Sequence, residues 1–200
     1  MLISDATISA DELRQIAALH RTALPDSIFS LCGKAVLYRY YQFVSESPRE
    51  ALIWLTEEKQ VLGAAVLSFA PEQLSKRFVR WAPVFVGIRL GSRAVLNPKL
   101  ARKVLHLATN KAAPPSAVQG LPEIVQIFAA PHSQNRGIGT KMLNQAEQFL
   151  FQQQARQYCL KTQADDTNPA NGFYLKRGFE LVAEAAFGGR AYKYYLKALG

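Results

Sequence analysis

The chain predicts an α/β fold, a central mixed sheet with helices on both faces, and three observations carry that prediction. Glu123-Ile-Val-Gln-Ile-Phe-Ala-Ala130 is apolar and β-branched enough to be a largely buried strand. Across a short glycine turn it leads into Ile138, Met142, Leu143, Ala146, Phe149 and Leu150 at helical spacing. Upstream, 51–57 and 60–69 read as two strands of a hairpin joined at Glu58-Lys59. Strand and helix patterns then mix along the whole chain, as a layered α/β protein requires. Its 200 residues suffice for one domain, 1–200, whose core needs no disulfide or structural metal.

In chain order, 2–8 reads as a first strand, and Ser9-Ala-Asp-Glu12 is a capping box that starts a helix running to residue 23. Pro25 ends it, and Leu37, Tyr38, Tyr40, Tyr41, Phe43 and Val44 belong to a second, aromatic-rich helix. After the hairpin, Trp81, Val84, Phe85, Val86, Ile88, Leu90, Val95 and Leu96 are interleaved with arginines until Pro98 breaks the pattern. A helix over 99–109 and a loop at Ala112-Ala-Pro-Pro-Ser116 precede the central strand. The connection 71–121 is far longer than an ordinary loop, so it must hold structure of its own, a helical insertion. Downstream come a strand over 158–162, a helix with Tyr174, a strand over 179–186, a turn at Gly188-Gly189 and a last strand over 191–197.

Cys32 and Cys159 are the only cysteines, which argues against a disulfide framework and fits a reducing cytosol. The start, Met1-Leu-Ile-Ser-Asp-Ala, lacks the features of a signal peptide, and no window approaches a membrane span, so a cytoplasmic location is expected. The net charge of +9 is concentrated. Residues 71–121 hold nine Lys and Arg against the single acid Glu72, leaving fifteen basic and fourteen acidic residues for all the rest. That points to a local anionic partner. No closely spaced His, Cys and acidic side chains suggest a metal.

The turn Pro131-His-Ser-Gln-Asn-Arg-Gly-Ile-Gly-Thr140 suits an anion, because Gly137 and Gly139 let the backbone approach a ligand and leave the first helix amides to donate. A dinucleotide fingerprint would need glycine where Met142 stands, and a P-loop would need Gly-Lys-Ser/Thr where Gly-Thr-Lys occurs. What remains is Gln/Arg-x-x-Gly-x-Gly/Ala, matched by Gln134, Gly137 and Gly139. Further on, Asn168-Pro-Ala-Asn-Gly-Phe-Tyr-Leu-Lys-Arg-Gly-Phe179 follows the strand Tyr158-Cys-Leu-Lys-Thr162. Together these resemble the coenzyme A turn and the Asn…Ala…Tyr…Gly-Phe segment of the GNAT superfamily of N-acetyltransferases, with the close match over about 122–197.

The resemblance implies that acetyl-CoA is the cosubstrate and that an amine attacks it directly. It implies a thioester oxygen held by central-strand amides around Ile127 to Ala129, and a cofactor track of Phe128, Ala129, Ala130, Gln134, Asn135, Arg136, Gly137, Ile138, Gly139 and Thr140, with Asn168 and Phe173 near the pantetheine arm. Tyr174 looks like the family's general acid, and Glu123, in a Glu-Ile-Val like that of histone-type members, looks like the base acting through water. His132 is a rival as base; His20 and His106 fall in predicted helices without a chemical role.

The acceptor read from this is a small-molecule amine, with an amino sugar as one case, since His20…Leu24-Pro-Asp-Ser27…Gly33…Leu37…Tyr41 is similar to members that act near polysaccharide assembly. A protein N-terminal or lysine acetyltransferase, or a noncatalytic acyl-CoA or membrane-surface module, are the alternatives. Arg77, Arg80, Arg89 and Arg93 beside Trp81, Phe85 and Ile88 suggest contact through 76–103 with anionic lipid or with a phosphate on the acceptor. No nucleic-acid motif accompanies them, so no nucleic acid is expected, and the protein reads as a monomer or homodimer.

Overall fold

The computed structural model describes residues 7–98, 100–102, 113–133, 136–187 and 190–200. Its strands are β1 (Glu50–Glu57), β2 (Gln60–Ser68), β3 (Glu123–Ala129), β4 (Gln157–Gln163), β5 (Glu180–Phe187) and β6 (Arg190–Ala198). They form one sheet in the order β1-β2-β3-β4-β6-β5, mixed as the sequence predicts, with only β3 and β4 parallel. The expected strand over 2–8 lies almost wholly outside the described residues, as does the turn at Gly188-Gly189.

Seven described helices flank the sheet: α1 (Ala10–Ala23), α2 (Ile28–Cys32), α3 (Lys34–Glu46), α4 (Leu74–Trp81), α5 (Pro83–Leu96), α6 (Ile138–Gln152) and α7 (Pro169–Lys176). The capping box forms as read, with Ser9 Oγ accepting from the Glu12 N–H at 3.2 Å and the Glu12 carboxylate from the Ser9 N–H at 2.9 Å. Ile16, Leu37, Tyr40 and Val44 bury one sheet face together with Ala64 and Val66. Met142, Leu143, Ala146 and Leu150 bury the other with Ala65 and Leu67. β2 is therefore covered on both sides, which is why it reads as a continuous apolar run.

Gly63 is what lets α6 lie so close to β2. A Cβ there would stand 2.9 Å from the Phe128 carbonyl oxygen and 3.0 Å from both Ile138 Cγ2 and Met142 Cε. Gly63→Ala is expected to cost about 1–3 kcal/mol through overpacking, read as a lower urea midpoint. An unchanged midpoint would mean that α6 yields.

The insertion holds α4, α5 and a helical 100–102, residues 113–121 are loop with one short helical turn, and most of the helix expected over 99–109 falls outside the described residues. Val84 and Ile88 of α5 stand 72% and 65% exposed, while Val86 between them is buried. Arg77, expected at the surface, instead turns inward to the buried carboxylate of Glu50. Cys32 and Cys159 are buried. Among the described residues, no helix is long and apolar enough to cross a membrane.

Candidate active site

The central strands part company early. β3 and β4 pair only at Glu123 with Cys159 and Ile124 with Leu160. On the other edge of β3, Val66 faces Gln126 while Leu67 faces Ile124, so Val125 is an extra residue, a β-bulge. The Ala130 N–H donates to the Leu62 carbonyl at 2.8 Å. Alternation along an antiparallel ladder then turns the amides of Ile127 and Ala129 toward the gap beside β4. A cavity of about 910 Å³ opens there, walled by Ile124 to Ile127, by Lys161 to Gln163, and by Asn168 and Tyr174.

Tyr174 is 6% exposed, its ring packed between Phe173, Phe179 and Tyr195. Burial pushes its phenol up to about 12, so it keeps its proton at neutral pH. Among the described residues its hydroxyl has no hydrogen-bond partner. Asn168 caps α7 by accepting from the Ala170 N–H at 3.1 Å while donating to Thr162 Oγ1 at 2.8 Å. It thus ties the tyrosine-bearing helix to β4.

The glycine turn lies at the start of α6. Gly137 adopts φ 73°, in the left-handed region, and caps the helix without a side-chain hydrogen bond. A Cβ on it would meet nothing within 4 Å, so the space above these amides is open. Gly139 has the Phe173 ring 3.4 Å from where its Cβ would stand. Arg136 donates to both carboxylate oxygens of Glu57, at 2.9 and 3.2 Å. Arg177, 5.8 Å over the Phe173 ring, donates to Thr140 Oγ1. Among the described residues the buried Ser133 hydroxyl has no partner. Open helix amides, an orphaned hydroxyl and two flanking guanidinium groups fit a diphosphate. Gln134 and Asn135 lie outside the described residues.

Two assignments from sequence meet a different geometry. Glu123 is buried and sits 2.6 Å from Lys161 Nζ, and Lys161 lines the cavity where Glu123 does not. Burial opposes the charge on Lys161, yet Glu123 outweighs it and holds the amine above its usual range. Phe128 directs its ring to the other layer, 5.4 Å from His20, and is core there. Ala129 and Ala130 keep the strand end small, Ile138 is buried beneath the turn, and His132 is exposed in a short helical turn.

Sequence reading missed a buried polar chain behind the cavity. His20, fully buried, is bonded through Nδ1 to Tyr41 Oη at 2.5 Å and through Nε2 to Ser27 Oγ at 2.8 Å. Tyr41 donates to Gln126 Oε1 at 3.1 Å, and both Gln126 and Ser27 line the cavity. Burial lowers His20 from its ordinary 6.5 to about 4. Between those values the unfolded chain takes up a proton that the folded one refuses. Stability is therefore expected to fall by roughly 3 kcal/mol as the pH drops through that window. His20→Gln should flatten urea midpoints across the same range; a parallel slope would clear His20. Asp26, also missed, is the one carboxylate among the cavity-lining residues, bonded to Arg190 at 3.2 Å.

Among the described residues, no three His, Cys, Asp or Glu side chains gather as a metal ion would need. A model of the acetyltransferase (GNAT) family matches residues 14–179. No curated protein sequence matches the chain. Of solved structures, it is similar to an N-acetyltransferase from Staphylococcus aureus Mu50 (TM-score 0.62, 12% identity, 98% of this chain and 97% of that one). It is also similar to the ribosomal-protein-S18-alanine N-acetyltransferase from Escherichia coli (TM-score 0.58, 10% identity, 97% and 92% covered). A Bacillus anthracis str. Ames structure in complex with acetyl coenzyme A aligns with TM-score 0.50 and 14% identity over 80% of this chain and 67% of that one. At such identities the structures speak for the fold, and the family match, which spans most of the chain, speaks for the chemistry. The chain belongs to the GNAT family and is an acetyl-CoA-dependent acyltransferase.

Proposed function

We propose that the protein transfers acetyl from acetyl-CoA directly to the primary amine of a compact small molecule, an amino sugar being one such acceptor. The observation that carries this reading is the cavity that joins the parted strands to Tyr174 beneath α2 and the insertion. Phe29 and Cys32 of α2 with Phe78 and Val86 of the insertion wall it, which favours a compact acceptor over an extended peptide. A protein N-terminus or lysine is the second reading, and the screen below separates the two. A noncatalytic module is the third.

Acetyl-CoA supplies the thioester that the amine attacks. The amides of Ile127 and Ala129 donate to an oxygen that gains charge in the gap. Tyr174 holds a proton for the departing sulfur. The Lys161 ammonium, kept charged by Glu123, favours the neutral form of an incoming amine. In place of the base role, Glu123 thus sets the charge at the wall, and the amine proton leaves through cavity water. The α6 amides with Arg136 and Ser133 hold the diphosphate, Gly139 and Thr140 lie along the same track, and Phe173 and Asn168 flank the arm.

Calorimetry with CoA and acetyl-CoA tests the cofactor part. Gly137→Ala, forced to φ 73° and filling the open space, is expected to bind about tenfold more weakly while remaining folded. No heat from the wild type with either ligand would end the assignment. A screen of free amines against peptides, monitored by released thiol, tests the acceptor. An anionic partner also belongs to this reading. With Arg77 tied inside, contact through 76–103 rests on Arg80 and Arg89 beside exposed Val84 and Ile88. Failure to float with anionic liposomes at low salt would remove its lipid version.

A further inference from the structure

A second cavity, of about 560 Å³, lies on the far side of α2 from the first. Arg21 of α1, Lys34 of α3 and Arg93 of α5 line it, and no carboxylate does. Among the described residues none of the three has an ion-pair partner. Like charges gathered from three separate elements repel one another, and an anion between them removes that cost.

Two side-chain oxygens at this cavity are already engaged. The Ser30 hydroxyl donates to the Leu24 carbonyl at 2.7 Å, and Asn97 Oδ1 accepts from the Leu100 N–H at 3.2 Å. What the cavity has to offer a ligand is positive charge. Gly33, at φ +94°, leaves room for the Arg93 guanidinium to lie against the backbone, 3.4 Å from where a Cβ would stand. Arg93 reaches this place because α5 of the insertion packs against α2. Pro25 belongs to the walls of both cavities. A molecule laid across Pro25 would therefore reach from the first cavity into the second.

We propose that Arg21, Lys34 and Arg93 bind the phosphate of the acceptor, so that the substrate is a soluble amine carrying a phosphate at its other end. This rests on the amine-acetylation reading above and narrows it. Guanidinium forks match phosphate oxygens, and Lys34 adds a point charge.

The test has two arms. In the first, the full chain is titrated with inorganic phosphate at low ionic strength while backbone amides are followed by NMR. Shifts are expected at Gly33, Lys34 and Ala35, saturating as one site, and Arg93→Ala or Lys34→Ala should weaken them about tenfold without changing CoA affinity. Shifts confined to Gly137 to Thr140, or a linear response equal to that given by chloride, overturn the site. In the second arm, ω-aminoalkyl phosphates of increasing length are compared with the same amines lacking phosphate, by thiol release.

At one length the phosphate should raise kcat/KM by about tenfold or more, and Arg93→Ala should abolish the advantage. A ratio near one at every length overturns the acceptor assignment. If no amine at all discharges the thioester, the acetylation reading fails, and this acceptor assignment with it, while the first arm still decides the anion site. If vesicles of phosphatidic acid, but not inorganic phosphate, shift the Gly33 to Ala35 amides, the site reads a membrane surface and the soluble acceptor is overturned.

Discussion

Tyr174→Phe is expected to lower kcat by about 100-fold or more, because a positioned general acid contributes roughly 10²–10⁴-fold. The ring stays packed on Phe173, Phe179 and Tyr195, so the cavity keeps its shape. The hydroxyl has no partner among the described residues, so removing it leaves no donor or acceptor orphaned and the unfolding midpoint should hold or rise slightly. KM for acetyl-CoA should stay within about threefold, since the diphosphate is gripped elsewhere. Wild-type activity should also show no loss from phenol ionisation until the pH nears about 12. Steady-state kinetics by thiol release over a pH series measures all of this, and an unchanged kcat in the variant would remove Tyr174 as the acid.

Arg77→Ala is expected to destabilise the fold by about 3–5 kcal/mol, because it strands a buried carboxylate. The Glu50 side chain is fully buried and accepts from Ser47, from Ser68 at 2.9 Å and from Arg77. Arg77 also donates to the Ala70 carbonyl at 3.1 Å, so one guanidinium fixes α4 to the edge of the sheet. Among the described residues its Nε and Nη1 are buried without partners, so the interaction is costly to build as well as to break. Glu50→Gln with Arg77→Met, which removes both charges, should lose much less than the single change. Equilibrium unfolding in urea compares the variants. A wild-type midpoint for Arg77→Ala would show that the pair adds nothing.

Much of this architecture was legible before any coordinates, for a physical reason. The strands β1 and β2 carry their burial in local apolar runs, and α1 and α3 announce themselves through Ser9, Glu12 and the aromatic spacing from Leu37 to Val44. The glycine turn was legible because its backbone demands are local. What could not be read was pairing over distance. Lys161 meets Glu123 from 38 residues away, and Tyr41 meets Gln126 from 85 residues away, so neither the ion pair nor the buried chain through His20 leaves a local trace. Arg77 looked like its neighbours Arg80 and Lys76 because composition does not say which cation finds a buried carboxylate.

The extra residue at Val125 has a wider meaning for how such a protein is made. One codon's worth of backbone is all that sets the two edges of the strand out of phase, so the opening for chemistry is a matter of count and not of composition. Deleting Val125 is expected to bring those edges back into phase, and a folded variant that still turned over would show that the gap has another origin.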